Sequence, residues 1–228
     1  MTKANIEQLE KFHRKNLRHI QSLPERTSNA AVLLLIEALP IEAEIHKRCL
    51  SLLLSLLNCG NDKIHQILTR QITTNFDNNK SFFTRIMDIL EMYGLPSITQ
   101  LQKSTPKKEH WKNTIKVKVD KFWYEKTLAD VENKSSLTFL NTSNLEPNKP
   151  HHVWNVKQLP RFELRKAIIK ARVMTGTYIL QADKYKFTHY NVEATCQLCC
   201  SGNEDVTKAN IEQLEKFHRK NLRHIQPV

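Results

Sequence analysis

Three lysines that recur at every fourth residue are the first candidates in the sequence for binding an anionic partner. Lys108, Lys112 and Lys116 would share one face of a helix, within a run from residue 103 to 126 that holds eight lysines and three acids. Four aromatic residues are interleaved with the run: Trp111, Phe122, Trp123 and Tyr124. Lysines beside aromatic rings suit phosphate contact and base stacking, as in nucleic-acid binding. The alternative is a solvated face over a core, and a core is the better interpretation of the aromatic residues taken alone.

A second basic segment follows Pro160, where the pattern predicts a helix to about Thr175. At about 100° per residue its cations fall into two strips, one within a ~40° band and the other roughly opposite. The first strip is Arg161, Arg165 and Arg172, and the second is Lys166 and Lys170. Apolar residues flank both strips, and only Glu163 offers a counter-charge. This pattern suits a track of backbone phosphates better than simple solvation. We expect the two basic segments to form a common surface for RNA or DNA.

The cysteines that have the spacing of metal ligands are Cys196 and Cys199, in a C-x-x-C arrangement. Tetrahedral zinc needs four ligands, and no second pair follows in the adjoining residues. A redox use is weaker still, because no strand-to-helix context surrounds the motif. We therefore expect an incomplete metal site and no cofactor, with zinc as the one candidate.

Groups that could carry out catalysis are missing from the sequence. The four glycines stand far apart, so neither a phosphate-binding loop nor a dinucleotide fingerprint can be drawn. No pair of converging carboxylates suggests two-metal phosphoryl transfer. The remaining histidines show no metal or catalytic spacing, and His151 and His152, beside Trp154, are expected to be exposed linker residues. The sequence predicts that the chain is not an enzyme.

The overall charge of the chain is also compatible with an anionic partner. The 228 residues carry a formal net charge of +12, and charge repulsion of this kind is relieved by anions. Nucleic acid is the first candidate and an anionic membrane surface the second, while a generic solubilising surface explains the charge about equally well.

The longest apolar runs are far short of the ~20 residues that span a bilayer, and no signal peptide is apparent. Five cysteines, an odd number, do not suggest a disulfide framework. We expect a soluble, intracellular protein, nuclear or cytoplasmic, with no membrane partner.

Helix signals run along most of the chain and predict a mainly α fold. Proline, glycine and capping residues divide residues 1–103 into short amphipathic helices, including one over 30–39 and one from about Lys80 that ends at Gly94. We expect these helices to pack as a helical bundle. Residues 104–159 are expected to form a basic helix and a proline-containing linker, although the alternation from Ile115 to Val119 could also be a strand. Residues 160–206 would hold the second basic helix and the incomplete C-x-x-C element.

Residues 207–228 contain a repeat of the start of the chain. Residues 2–21 recur without a change at 207–226. A recent duplication or an error in the gene model explains two identical copies better than a repeat architecture does. Each copy is an amphipathic helix by its pattern, with five apolar residues on one face of the first copy: Ile6, Leu9, Phe12, Leu17 and Ile20. Both copies suit the same hydrophobic groove, so one would be left exposed, frayed or exchanged with a neighbouring chain.

Five blocks of residues, taken in order, resemble one family. They are Leu9-Glu-Lys-Phe-His-Arg-Lys-Asn-Leu-Arg, Leu23-Pro-Glu-Arg-Thr-Ser28, Leu39-Pro-Ile-Glu-Ala-Glu-Ile-His-Lys-Arg48, Ala171-Arg-Val-Met-Thr-Gly-Thr-Tyr178 and the pair Cys196 and Cys199. Together, over roughly residues 5–206, they resemble the region after the catalytic palm in reverse transcriptases of invertebrate non-LTR (LINE-type) retrotransposons.

The resemblance implies a thumb-like helical unit and a basic linker that grip template RNA and primer, followed by a small zinc-knuckle element. Cys196 and Cys199 match the first two metal ligands of that element, whereas the family's later histidine and cysteine ligands are replaced here by the start of the repeat at Thr207. The palm aspartates and the endonuclease of the family have no counterpart in the chain. The leading hypothesis is therefore a catalytically inert fragment that contacts RNA or DNA through basic helices. The alternatives are a helical module that self-associates through residues 207–228, and a transposon relic without function.

Overall fold

The structure is a computed structural model, and it describes residues 3–74, 78, 81–137, 139–142, 145, 149–154, 161–179, 181–188, 191, 193 and 195. These residues form nine α-helices and no β-strand, which confirms the predicted mainly α class. The helices are α1 (Lys3–Ile20), α2 (Asn29–Ile36), α3 (Ile41–Leu57), α4 (Asp62–Thr74), α5 (Phe82–Met92), α6 (Ile98–Lys103), α7 (Lys108–Glu132), α8 (Arg161–Met174) and α9 (Gln181–Phe187). Single turns of 3-10 helix lie at Ser135–Leu137 and His152–Trp154.

Local signals in the sequence account for several helix ends. After α5, Gly94 has a φ of +57°, and the N–H groups of Gly94 and Leu95 donate to the carbonyls of Glu91 and Leu90. This is the Schellman arrangement, in which a residue in the left-handed region closes the helix. The predicted end at Gly94 is confirmed. By contrast, α2 ends at Ile36 and not near residue 39, because Glu37 adopts the left-handed conformation with a φ of +55°.

The long helix α7 resolves the ambiguity between helix and strand around Ile115. Trp111, Ile115 and Val119 are each at most 2% exposed, whereas Val117 is 56% exposed. A strand would turn Ile115, Val117 and Val119 to the same side, whereas a helix separates Val117 from the other two. Burial therefore follows the helical period of the sequence, and helix was the correct interpretation.

The chain divides into two compact units whose boundary falls within α1 and within α7. The first contains Met1–His13 and Ala38–Ala129, and the second contains Arg14–Glu37 with the described residues from Asp130 onward. This division differs from the predicted segments 1–103, 104–159, 160–206 and 207–228. The reason lies in α2, where every residue from Ala30 to Leu35 is buried. A helix that is apolar on all sides needs partners on all sides, and one partner is the 3-10 turn at His152–Trp154.

The core of the first unit lies between α3, α4, α5, α6 and α7. Its least exposed side chains are aliphatic and aromatic residues from four of these helices: Ala43, Leu50, Leu53, Ile86, Leu90, Leu101, Trp111, Ile115 and Val119. The indole Nε1 of Trp111 donates to the carbonyl of Leu50 over 3.1 Å, which fixes α7 against α3. This packing determines which face of α7 points to solvent.

In the second unit, the 3-10 turn at His152–Trp154 contacts both α2 and α8. Ala167 and Ala171 of α8 are buried, as are Val131, Leu137, Leu140 and Val153. His151 is 3% exposed, and its backbone N–H donates to the carbonyl of Leu35 over 3.0 Å. The prediction that both linker histidines are exposed was therefore wrong for His151 and correct for His152. Among the described residues, no helix has the length and apolar character needed to cross a bilayer.

Candidate nucleic-acid interface

The first candidate surface is a row of lysines on α7, in the first unit. Lys108, Lys112 and Lys116 are all exposed, and we call them the α7 stripe. Four residues of α-helix rise about 6 Å, so their Cα atoms are evenly spaced along the helix axis. Lys112 and Lys116 directly follow Trp111 and Ile115, whose burial holds the lysines at the edge of the packed face. The core thus positions the α7 stripe, although the lysines themselves touch solvent.

Several acidic side chains of the first unit pair with lysines outside the α7 stripe. Lys47 Nζ lies 2.8 Å from Asp120 Oδ1 and 3.0 Å from Glu44 Oε1, and these hydrogen bonds outweigh partial burial and raise the pKa of Lys47, although burial is the largest single effect. Lys121 Nζ lies 3.8 Å from Glu125 Oε1. None of the α7 stripe lysines forms an ion pair with a residue that the structure describes.

The position of the α7 stripe within the helix adds to its positive potential. The helix begins at Lys108, and the N-terminal end of an α-helix carries about half a positive charge from its aligned peptide dipoles. Lys107 and Lys108 both lie at this end and are exposed, and Glu109 is the one acid of the first turn. Cations placed here oppose the helix dipole, so they do not stabilise α7 itself.

The aromatic residues beside these lysines belong to the core. Trp111 is 2% exposed and Trp123 is 7% exposed. Trp123 donates its indole N–H to Tyr93 Oη over 2.8 Å, and the half-buried ring of Phe122 packs edge-on against Tyr93. Because both tryptophans are enclosed and hydrogen-bonded, they do not offer a face to a nucleic-acid base. For these two tryptophans the core interpretation is confirmed, and the base-stacking interpretation was wrong.

The second candidate surface is on α8, in the second unit. Arg161 and Arg165 are exposed, whereas Lys166 and Lys170 are half-buried. Arg172 is half-buried, and its Nε and Nη2 donate to the carbonyl of Ser22 over 2.9 and 2.6 Å. The predicted arginine band therefore has two exposed members and a third that ties α8 to the turn after α1. Burial on α8 includes Ala167 and Ala171, but Leu164 is 40% exposed, so the predicted apolar flank is only partly packed.

The expected metal site falls outside the part of the chain that can be described. Cys196 and Cys199 both lie outside the described residues. Within the described residues, no group of three or more histidine, cysteine, aspartate or glutamate side chains is placed to hold a metal ion. The incomplete zinc site at Cys196 and Cys199 therefore stays a prediction from the sequence.

Sequence inspection missed a chain of hydrogen bonds inside the first unit. Tyr93 Oη accepts from Trp123 Nε1 and lies 2.7 Å from His46 Nδ1. An indole N–H can only donate, so Tyr93 Oη is the acceptor from Trp123, whereas the donor between Tyr93 Oη and His46 Nδ1 depends on the tautomer of His46. Burial lowers the pKa of His46 and raises the pKa of Tyr93 to about 12. Both groups are therefore neutral at pH 7, and their arrangement joins α3, α5 and α7.

Comparison with known proteins gave no relative for the chain: no family model, no curated protein and no solved structure matches it.

Proposed function

We propose that the chain is a non-catalytic, nucleic-acid-binding part of a retrotransposon reverse transcriptase, and that it contacts the phosphate backbone of RNA or DNA. The α7 stripe is the main contact, and Arg161 and Arg165 form a second one. The observation that carries the proposal is that Lys108, Lys112 and Lys116 are exposed, evenly spaced and without an ion-pair partner among the described residues.

Contact with the phosphate backbone of the nucleic acid is favoured over recognition of its bases. Single-stranded nucleic acid is commonly held by aromatic rings on which the bases stack, but Trp111 and Trp123 are buried. Lysine is a compact, flexible point charge that suits a phosphate oxygen more than a base edge. Binding should therefore depend weakly on sequence and strongly on salt concentration.

A purely solubilising role explains the α7 stripe less well. Charges that only maintain solubility can lie anywhere on the surface, whereas these cations extend to the end of α7 where the helix dipole disfavours them. Each such placement costs roughly 0.3–1 kcal/mol at low ionic strength. A bound phosphate would relieve both the dipole interaction and the mutual repulsion of the lysines.

The test is a titration of labelled duplex DNA and duplex RNA, followed by fluorescence anisotropy at several salt concentrations. Changing Lys108, Lys112 and Lys116 together to glutamine should weaken binding. For duplex DNA it should reduce the magnitude of the slope of log K against log salt by about 2.7, since each phosphate contact contributes about 0.9. Far-ultraviolet circular dichroism should be unchanged, because all three side chains are exposed.

A control variant removes three charges that already have protein partners. Lys121 pairs with Glu125, Lys126 Nζ lies 4.4 Å from the centroid of the Trp123 ring, and Lys134 Nζ donates to Ser28 Oγ. Changing these three lysines to glutamine alters the net charge equally but should leave most of the affinity. If both triple variants lose affinity to the same extent, binding follows net charge alone and the α7 stripe is not a site. If the unsubstituted chain binds neither nucleic acid at low salt, the proposed function fails.

The family assignment is tested separately, by the genomic context of the coding sequence. We expect an open frame that encodes a polymerase palm with paired aspartates to lie immediately upstream. An unrelated upstream sequence would remove the retrotransposon origin but would leave the proposed phosphate contact to be decided by the titration.

A further inference from the structure

A short loop in the first unit joins α6 to α7 and contains a threonine that is followed by proline. The loop is residues 104–107, between the end of α6 at Lys103 and the start of α7 at Lys108. Thr105 is exposed and Pro106 is half-buried. The sequence has eight prolines, and Pro106 is the one that follows a serine or a threonine. The Thr-Pro pair therefore occurs once in the chain, at an accessible position.

The residues after Thr105 match the sequence that proline-directed protein kinases select. Such kinases act on a serine or threonine that precedes proline, and many of them favour a basic residue three positions after it. Here Pro106 fills the first position and Lys108 the second. Proline keeps the preceding residue out of the helical region, and Ser104 is not helical either, with a φ of −142° and a ψ of 85°. The loop thus presents Thr105 outside helical structure, as a kinase cleft requires.

We propose that Thr105 is a phosphorylation site for a proline-directed kinase, and that its phosphate binds the lysines around the loop. In the reaction Thr105 Oγ1 attacks the γ-phosphorus of ATP, the bond from that phosphorus to the β–γ bridging oxygen breaks, and ADP leaves. The hydroxyl proton passes to a base of the kinase. Without the modification, Thr105 Oγ1 donates to the carbonyl of Leu101 over 2.9 Å. A phosphate ester has no proton on this oxygen, so the modified side chain loses its bond to α6.

The surroundings of Thr105 favour a phosphate. Within five residues of Thr105 the sequence holds three lysines and one acid, Glu109. Lys103, Lys107 and Lys108 are exposed, and none of them forms an ion pair with a residue that the structure describes. A phosphothreonine carries a charge of about −1.5 to −2 at pH 7 and three acceptor oxygens. Its position just before α7 is favourable too, because the N-terminal end of a helix attracts negative charge.

Phosphorylation of Thr105 would act as a switch on the α7 stripe, and this consequence rests on the proposed function. The α7 stripe begins at Lys108, so a phosphate on Thr105 neutralises a cation that a nucleic-acid phosphate would otherwise contact. Each lost contact weakens binding to duplex DNA by about eightfold at 0.1 M salt, since log K changes with log salt by about 0.9 for each phosphate. We therefore expect the modified chain to bind duplex DNA at least about eightfold more weakly.

The first measurement incubates the full-length chain with a purified cyclin-dependent kinase and Mg-ATP, and locates the phosphate by tandem mass spectrometry. The unsubstituted chain should acquire one phosphate, on Thr105. Thr105→Val removes the hydroxyl, and Pro106→Ala removes the residue that the kinase selects. Both variants should stay unmodified although Ser104 is still present, and their circular dichroism should match that of the unsubstituted chain. Phosphate on Ser104, or no phosphate on the folded chain, would overturn the proposal.

The second measurement is phosphorus-31 NMR of the phosphorylated chain. The second pKa of the phosphate should lie below its ordinary value of about 6, because the nearby lysines favour the dianion, and Lys108→Gln should raise this pKa. A pKa of about 6 that does not respond to Lys108→Gln would overturn the contact with the lysines.

The anisotropy titration with duplex DNA then compares the modified and unmodified chains. Equal affinities would overturn the switch and leave the proposed function in place. No binding by the unmodified chain would defeat the proposed function, whereas the phosphorylation site would stand on the mass spectrometry and the NMR.

Discussion

Gly176 ends α8 in a backbone conformation that residues with a Cβ rarely adopt. Its φ is +63°, and a Cβ built on it would lie 2.5 Å from the carbonyl oxygen of Ser136. Its N–H donates to Val173 and the N–H of Thr177 donates to Arg172, which closes the helix by a Schellman arrangement. Thr175 and Thr177, on either side, are buried. The glycine thus allows the backbone after α8 to pass close to the 3-10 turn at Ser135–Leu137.

Three glycine-to-alanine variants separate backbone strain from steric overlap. Gly60→Ala should be neutral or slightly stabilising, since nothing lies near a Cβ there. Gly94→Ala should lose about 1 kcal/mol, because its φ is positive but the space is open. Gly176→Ala combines strain with overlap on backbone and should lose roughly 3 kcal/mol. Urea unfolding measures the series. If Gly176→Ala is no less stable than Gly94→Ala, then the close approach of Ser136 is not a constraint.

His151 gives the stability of the protein a dependence on pH. Burial, followed by the effect of His152, lowers its pKa to about 4, and its Nδ1 accepts from the backbone N–H of Val153. The folded state therefore favours neutral His151, whereas in the unfolded chain it titrates near 6.5. Stability from this residue is fully present above about pH 6.5 and is lost as the pH falls from 6.5 to 4, by up to about 3 kcal/mol.

The variant His151→Gln should remove that part of the pH dependence. It will shift the stability at every pH because a packed ring is lost, but the difference from the unsubstituted protein should shrink as the pH falls from about 6.5 to 4. His46, whose pKa is also lowered, is present in both proteins and cancels in the comparison. Urea unfolding at several pH values provides the measurement. A difference that stays constant with pH would mean that His151 titrates normally in the folded protein.

At the scale of elements, the features that could be predicted are those that a helix carries in its own sequence. The four-residue spacing of the α7 stripe and the glycine after α5 are local signals, and the structure places them as expected. The partners of α2 could not be predicted, because an all-apolar helix shows that it is buried but not by what. For the same reason the burial of His151 was missed. Its bond to the Leu35 carbonyl joins residues 116 positions apart, and no local pattern encodes it.

The hydrogen-bond chain from Trp123 through Tyr93 to His46 ties three helices together. Removal of the Tyr93 hydroxyl oxygen should therefore have a large effect on the stability of the protein. Tyr93→Phe leaves the indole N–H and His46 Nδ1 without their buried partner, and each orphaned group costs about 1–3 kcal/mol. We expect a loss of roughly 2–4 kcal/mol in the free energy of unfolding. Trp123→Phe removes one of the two groups, so the double variant should lose clearly less than the sum of the single losses. Strict additivity in urea unfolding would show that the contact contributes little.

At the scale of the whole molecule, the net charge of +12 is compensated only in places. The ion pairs of the described residues gather around Lys47 and along the exposed sides of α1 and α7, while the α7 stripe, Arg161 and Arg165 lie outside them. Mutual repulsion among uncompensated cations opposes the compact state. An anionic ligand would therefore both bind to these cations and stabilise the fold.

This repulsion predicts that the protein without ligand becomes more stable as NaCl is added. Raising the ionic strength from about 0.01 M to 0.15 M shortens the Debye length from about 30 Å to 8 Å, and this screens distant like charges more than ion pairs in contact. The melting temperature should rise by a few degrees, since about 2–4 °C corresponds to 1 kcal/mol for a protein of this size. The variant with glutamine at all three positions of the α7 stripe should melt higher at low salt and respond less to NaCl. A melting temperature that falls with NaCl would mean that attractive ion pairs outweigh the repulsion, and relief of repulsion could then no longer be part of the reason for binding phosphate.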